Sequence, residues 1–459
     1  MFKRRWSLKN NKPRPSLVRQ LTLATDQYYP LFVVPLESAL SMKSIEIHEN
    51  LVEQGVVRRY DTANDGEIIF VSHQWVSATN PCHQGMFDQF GVFQSVIRQL
   101  MNGAVVRSGM MHYVRTGKVF EEKNWKKRLA NAVVWYDAFC VPQVDKKKLL
   151  LAAGSIPAYI ELSSMFFVVT PMLYHAEHVD EAGQRLILTD ATWKSRGWCR
   201  MEGVCRLLAR SSGPVVFIHS EKNYEIGPLS DIFFSPVGEG EFGVPCDSVM
   251  IGQALAKLVQ NLLADFAKSG RNPAEYHFLR AAWSIMFSGL PMPDIVLPDV
   301  SADDLPFPLL FYEVVSRNLE GVKKLVKEGA DVNAVLAGNF DGGLIGSKYA
   351  VGFNVLMMAM CSCRSEQDWP ILDYLRAAGV DMGYVAPGGH VPMTALTVAL
   401  GVFNREGAKW FISNVPAGYQ WKWSEPSALE NYLPDLAEFA VEKGMRLNVI
   451  SPHTGAGTF

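Results

Sequence analysis

Apolar residues fall into two regimes along this chain. Up to about residue 220 they come in short solid runs: Ile68 to Val71 within EIIFVSHQW (67–75), Ala132 to Tyr136, Met165 to Thr170, and Val215 to His219. Runs of this length, rich in β-branched and aromatic residues and lacking polar alternation, predict strands buried on both faces of a parallel sheet. Helical spacing fills the intervals. Residues 83 to 130 read as mainly helical, with Phe93, Val96, Ile97 and Leu100 on one face. Ser155 caps a short helix with Pro157 in its first turn and Ile156, Tyr159, Ile160 and Ser163 on one side. After a polar loop, Trp198 opens a further helix running through Glu202, Val204, Leu207 and Leu208. Upstream, PLFVVP reads as a strand or extended segment, and SMKSIEIHENLVEQG as a helix ending at Gly55.

Beyond residue 303 the pattern changes to paired helices. LFYEVVSRNLEGVKKLVKEGADVNAV gives a helix, a turn at Asn318 to Glu320, a second helix, and the loop Gly329-Ala330-Asp331-Val332-Asn333. Gly329 stops the second helix in a left-handed conformation, and Asp331 and Asn333 organise the turn after it. The pattern returns as GFNVLMMAMCS with ILDYLRAAGVDM, again as MTALTVALGVFNREGAKWFIS, and more loosely as LPDLAEFAVEKGMRLN. This series closely resembles ankyrin repeats, three to four of them, with insertions at about 336 to 351 and 363 to 369. An unrelated helical bundle is the alternative. The ankyrin resemblance implies a protein partner bound by the array.

The resulting division is a basic tail at 1–27, an ordered lead-in at 28–65, an α/β unit at 66–220, a Gly/Pro-rich connector with two helices at 221–302, the repeat array at 303–450 and a C-terminal tail at 451–459. The helices of the connector fall at about 248 to 268 and 273 to 288. Five prolines in PMPDIVLPDVSADDLPFP (291–308) mark the boundary before the array.

Composition narrows the class. The 459 residues, 48% of them hydrophobic and 20% charged, describe ordinary globular units with sizeable cores. A formal net charge of −2 gives the whole molecule no reason to bind nucleic acid or an acidic membrane. The basic tail is locally different: seven Lys or Arg precede the first acid, which reads as a solvated arm, with a presequence or phosphate-binding arm as alternatives. Seven cysteines show no disulfide-framework spacing, no N-x-S/T sequon occurs, and no apolar run approaches a membrane span. These features together predict a cytoplasmic protein.

Chemistry concentrates where the strands end. Ser72-His73-Gln74-Trp75 emerge at the carboxyl end of the first strand, Asp137 follows the second, and Glu202 lies in the helix after the third. Ligands of open α/β sheets bind at such strand ends. The order of an Ile160/Ser163-Ser164 helix, a hydrophobic strand and Trp198-Cys199-x-x-Glu202 resembles the TIR domain, with Gly203 where plant versions usually carry leucine. The block WYDAFCVPQ (135–143) resembles that of fungal heterokaryon-incompatibility domains, relatives of the TIR fold. SHQW, WYDAFCVPQ and RGWCRMEG occur in their order, covering roughly residues 66 to 220. The resemblance implies a flavodoxin-like parallel sheet, α/β in class, ahead of the all-α array. It also implies that Glu202 is the catalytic carboxylate of NAD⁺ cleavage, that NAD⁺ is a substrate with no cofactor required, and that the unit self-associates.

Breaking the nicotinamide–ribose bond builds positive charge on the ribose, and a buried carboxylate stabilises it. Around Glu202, the candidate substrate-binding residues are Ser72, His73, Trp75, Asp137 and Trp198. Each also has a plainer reading: Glu202 near its helix start, Trp198 in the core, His73 simply hydrogen-bonded, Asp137 as a loop cap. Ser72 lacks a G-x-S-x-G elbow and is no nucleophile. His175 and His178 with Cys199 and Cys205 lack zinc spacing, so no metal is expected. The literal G-x-G-x-x-G at 238–243 carries two acids that repel phosphate, and reads as a flexible loop. Two functions stay open: an NAD⁺-cleaving signalling protein, and a non-enzymatic scaffold whose α/β unit only assembles.

Overall fold

The computed structural model describes residues 26–77, 81, 88–109, 121–179, 183–210, 213–227, 229, 235–269, 276, 279–280, 283, 286–291, 308–336, 352–387 and 391–447. The basic positions 1–25, most of the proline-rich boundary, the insertion at 337–351 and the C-terminal tail lie outside the described residues, as does most of the helix expected at 273 to 288.

The solid apolar runs form strands. We label the sheet β1 (Phe32–Pro35), β2 (Arg58–Arg59), β3 (Ile68–His73), β4 (Val133–Trp135), β5 (Met165–Val169), β6 (Val215–Ser220) and β7 (Asn223–Ile226). Their spatial order is β7-β6-β5-β3-β4-β1-β2. The inner four, β6, β5, β3 and β4, are parallel, while β7, β1 and β2 pair antiparallel at the flanks. Every residue of β3, β4 and β5 is buried, as expected for strands covered on both faces. Each fully buried Val, Ile or Phe side chain contributes roughly 1.5–3 kcal/mol.

Side-chain alternation assigns the faces. Phe70 stacks between Trp135 and Phe166, and Trp135 meets Tyr159 of helix Ile156–Leu162 on that side. Phe167 points the other way, onto Phe93 of helix Asp88–Met101 and Trp125 of helix Trp125–Arg128. The molecule is thus a mixed sheet between two helical layers, an α/β class architecture.

Several local expectations change. The lead-in at 28–65 contributes β1 and β2, and β7 lies beyond residue 220, so the sheet extends past both ends of the 66–220 unit. The stretch 83 to 130 holds one long helix at Asp88–Met101, then the short strand pair Val106–Arg107 and Glu121–Glu122 and the helix Trp125–Arg128. The polar loop after β5 contains the hairpin Leu173–Val179/Arg185–Leu188 and the helix Asp190–Ser195. Ser155 does not cap its helix. Its hydroxyl accepts from the Tyr28 and Tyr29 amides and donates to the Leu151 carbonyl.

The C-terminal part consists of successive helix pairs: Leu309–Val315 with Leu319–Lys327, Val355–Ser362 with Trp369–Ala377, Ala395–Gly401 with Arg405–Asn414, and Ser424–Tyr432 with Ala437–Glu442. The first helices of adjacent pairs pack on one another, which buries all of Val355–Ser362. Gly329 and Gly379 end their helices at φ +98° and +88°. The two turns that follow are joined directly: Asn333 Oδ1 accepts from the Asp381 amide at 2.7 Å, and its Nδ2 donates to the Gly379 carbonyl at 3.2 Å.

Candidate functional site

The chain order of the parallel strands reverses between β3 and β5, because the connections on either side of that pair run in opposite directions. Such a switch point opens a crevice at the carboxyl ends of the strands. β3 ends there in Ser72 and His73, which alternate to opposite faces.

Ser72 turns toward helix Gly197–Leu208 and donates from its hydroxyl to Oε2 of Glu202. Its oxygen accepts from the indole Nε1 of Trp193 at 3.0 Å. The carboxyl is therefore at the inner end of a chain Trp193 to Ser72 to Glu202, and Glu202 is only 9% exposed. Burial pushes its pKa up to about 8; the Ser72 hydrogen bond works against the shift, and the Asp137 charge adds to it. At neutral pH, Glu202 is largely a neutral acid in the free protein.

His73 turns the other way and stacks on Tyr136, ring centroids 4.3 Å apart. Its Nε2 lies 2.8 Å from Asp137 Oδ1, and Trp75 Nε1 donates to Asp137 Oδ2 at 2.7 Å. The Ala138 amide donates to the same carboxylate at 2.6 Å. Burial raises the Asp137 carboxyl, but the His73 charge and these hydrogen bonds outweigh it and hold the pKa below the usual range. Two carboxyl groups with oppositely shifted acidities thus share one edge of the sheet. That contrast is how a fold separates an acid from a charged base.

The six candidate residues do not all meet. Ser72 and Glu202 form one hydrogen-bonded group, and His73, Trp75 and Asp137 form a second, coupled to the first through the Asp137 charge. Trp198 belongs to neither. Its indole donates to Asp247 Oδ2 at 2.8 Å, at the start of helix Asp247–Ser269. One participant is absent from the sequence-based candidates: Trp193, fully buried against Ser72, on a helix whose only local signal is the capping box Thr189–Thr192. Gln74, from the strand end, joins that helix by accepting from Thr192 Oγ1 at 3.0 Å and donating to the Thr189 carbonyl at 2.9 Å.

The helix bearing Glu202 is anchored along its length. Arg206 Nη1 donates to the Ser163 carbonyl at 2.9 Å and Nη2 to that of Gly213 at 3.0 Å. Arg200 reaches the carbonyls of Lys194 and Pro236. Burial lowers both guanidinium pKa values to about 10. The G-x-G-x-x-G stretch is no flexible loop. It forms a 3-10 turn at Val237–Glu239 and then straps the helix start: Glu241 N donates to the Ser195 carbonyl and Gly197 N to that of Glu241, at 2.8 and 2.9 Å. A Cβ on Gly240 would lie 2.6 Å from the Gly197 Cα, so the approach needs glycine. From the same turn Glu239 accepts from Arg364 Nε at 2.9 Å, linking the strap to the helix pairs.

Among the described residues no group of three or more His, Cys, Asp or Glu is arranged to hold a metal ion, and no helix is long and apolar enough to cross a membrane. Cys199 and Cys205 are buried in their helix, while His175 and His178 lie on the hairpin, where His175 Nδ1 accepts from the Glu177 and His178 amides. No protein-family model matches the chain, and the curated proteins give no match.

Proposed function

We propose that this chain is an intracellular signalling protein whose α/β unit is TIR-like and flavodoxin-like in topology, cleaving the nicotinamide–ribose bond of NAD⁺ with Glu202. The observation that carries this reading is the Glu202 carboxyl, buried beneath Ser72 at the switch point of the sheet with its pKa raised to about 8. A desolvated carboxyl beside a charge-developing sugar is worth more than one in water. In the reaction the C1′–N bond breaks, its electron pair leaves with nicotinamide, and water adds to C1′ and gives up one proton to solvent. The ionised form of Glu202 faces the cation that forms. A positively charged nicotinamide ribosyl group entering the site favours that ionised form. His73 and Asp137, paired at the next strand end, are suited to orient the ribose hydroxyls or the attacking water.

In this reading the helix pairs are ankyrin-like repeats and bind a protein partner. The repeated glycine-terminated helices and the Asn333 link between successive turns support it.

NAD⁺ consumption and nicotinamide release by the purified chain, free and clustered, test the proposal beside Glu202→Ala and Glu202→Gln. Turnover lost in both folded variants is expected. One observation favours a second reading, a scaffold without catalysis: the Trp198 indole is committed to Asp247 and so is not part of the Glu202 group. No turnover in the clustered wild type would establish that second reading.

A further inference from the structure

Helix Lys146–Gly154 turns part of its apolar sequence outward rather than into the core. At about 100° per residue, its buried position is Ala152, while Leu150 and Leu151 point outward on either side of Lys147. Lys146 and Lys148 flank that outward face. Leu150 is 55% and Leu151 36% exposed, and Val144, just ahead of the helix, is 71% exposed. Single exposed apolar residues are common on protein surfaces. Three of them within eight positions, beside Lys146, Lys147 and a Lys148 that pairs with Asp145 at 3.5 Å, are not accounted for by packing.

The same face receives the start of the described chain. Tyr28, 54% exposed, borders Gly154, and the Tyr28 and Tyr29 amides are fixed to Ser155 Oγ at 2.8 and 3.0 Å. The 25 positions that lead into this contact carry seven Lys or Arg and no Asp or Glu.

We infer that this face docks on a bilayer surface containing anionic phospholipid. Val144, Leu150 and Leu151 enter the headgroup–acyl boundary, and the lysines meet the headgroups. The combination selects this occupant over others. A nucleic acid backbone would use the lysines but leave the leucines in water. A second copy of the chain would set lysine against lysine across a two-fold contact.

The test is co-sedimentation of the full chain with phosphatidylcholine vesicles, with and without phosphatidylserine. Binding only to the anionic vesicles, weakened by salt, is expected. Substituting Lys146→Gln, Lys147→Gln and Lys148→Gln together weakens it on the order of 100-fold, about fivefold for each lysine near the surface. Leu150→Gln with Leu151→Gln, which keeps the net charge and good helix formers, weakens it at least tenfold. Circular dichroism confirms that both variants fold. Absence of binding to anionic vesicles, or equal binding to neutral ones, overturns the inference. So does a leucine double variant that binds like wild type, which reassigns the face to polyanions such as duplex DNA.

Discussion

Ser72 and Glu202, 130 positions apart in the chain, are joined by a hydrogen bond from the serine hydroxyl to a carboxyl that burial keeps protonated at neutral pH. The bond sets a pH signature for stability. The unfolded chain releases the Glu202 proton near the ordinary glutamate value, about 4.3; the folded chain holds it to about 8. Stability tied to this group is therefore complete at low pH and falls as pH rises between those values, by up to ~1.4 kcal/mol per unit. Glu202→Gln removes the slope. Urea midpoints for the two proteins should agree below about pH 4 and separate in favour of the variant by pH 8. Parallel curves would mean that Glu202 titrates normally.

The same proton governs the proposed reaction. If the ionised carboxylate is the active form, kcat/KM for NAD⁺ rises almost tenfold per pH unit below about 8 and levels off above it. Glu202→Ala lowers the plateau by 100-fold or more, the loss typical of removing one transition-state electrostatic contact. A rate flat between pH 6 and 9 would take Glu202 out of the chemistry.

Asp137 shows the opposite sign. Its depressed pKa means that its stabilisation is present above the unfolded aspartate value and disappears as pH falls through the folded one. Asp137→Asn keeps the shape but loses the charge facing His73 and weakens the bonds from Trp75 and the Ala138 amide. We expect a cost of about 2 kcal/mol at pH 7, read from chemical denaturation. The difference from wild type should shrink toward pH 3.

Arg364 ties the two parts of the molecule. Its side chain is 4% exposed and donates to Glu239, to the Val402 carbonyl and to that of Phe403, the last held at φ +55°. Arg364→Met should cost about 3 kcal/mol and speed proteolysis within 235–247, because the strap loses its outer anchor. Arg364→Lys should not restore stability, since one ammonium cannot reach three divergent acceptors. A lysine variant indistinguishable from wild type by thermal melt would contradict this.

The inner strands were legible because burial on both faces leaves a solid apolar run: Ile68 to Val71 and Met165 to Val169 read as strands without any context. The helix pairs were legible because Gly329 and Gly379 mark ends that only a left-handed residue makes. The edge strands were harder. Arg58 and Arg59 are polar and exposed, and only pairing with Phe32 and Val33 makes them a strand. At the site, Ser72, His73, Asp137 and Glu202 could be named from strand ends, whereas the direction of Trp198 could not. A tryptophan one turn before a buried glutamate shares its helix face to within about 40°, and only the position of Asp247 decides what its indole meets. Trp193 was hidden for the reverse reason: nothing local says that an indole in a short helix reaches across to β3.

The outermost strand of the sheet, β2, is two arginines long and fully exposed. It offers almost no backbone ladder for another chain to extend, and its charged side chains, Arg58 paired with Asp65 and Arg59 beside it, keep water on that edge. Growth of the sheet from that side into a continuous intermolecular ribbon is therefore blocked. Joining of sheets between copies is left to the opposite edge, β7, where the bridge from Ser108 to Ile226 already occupies part of the ladder.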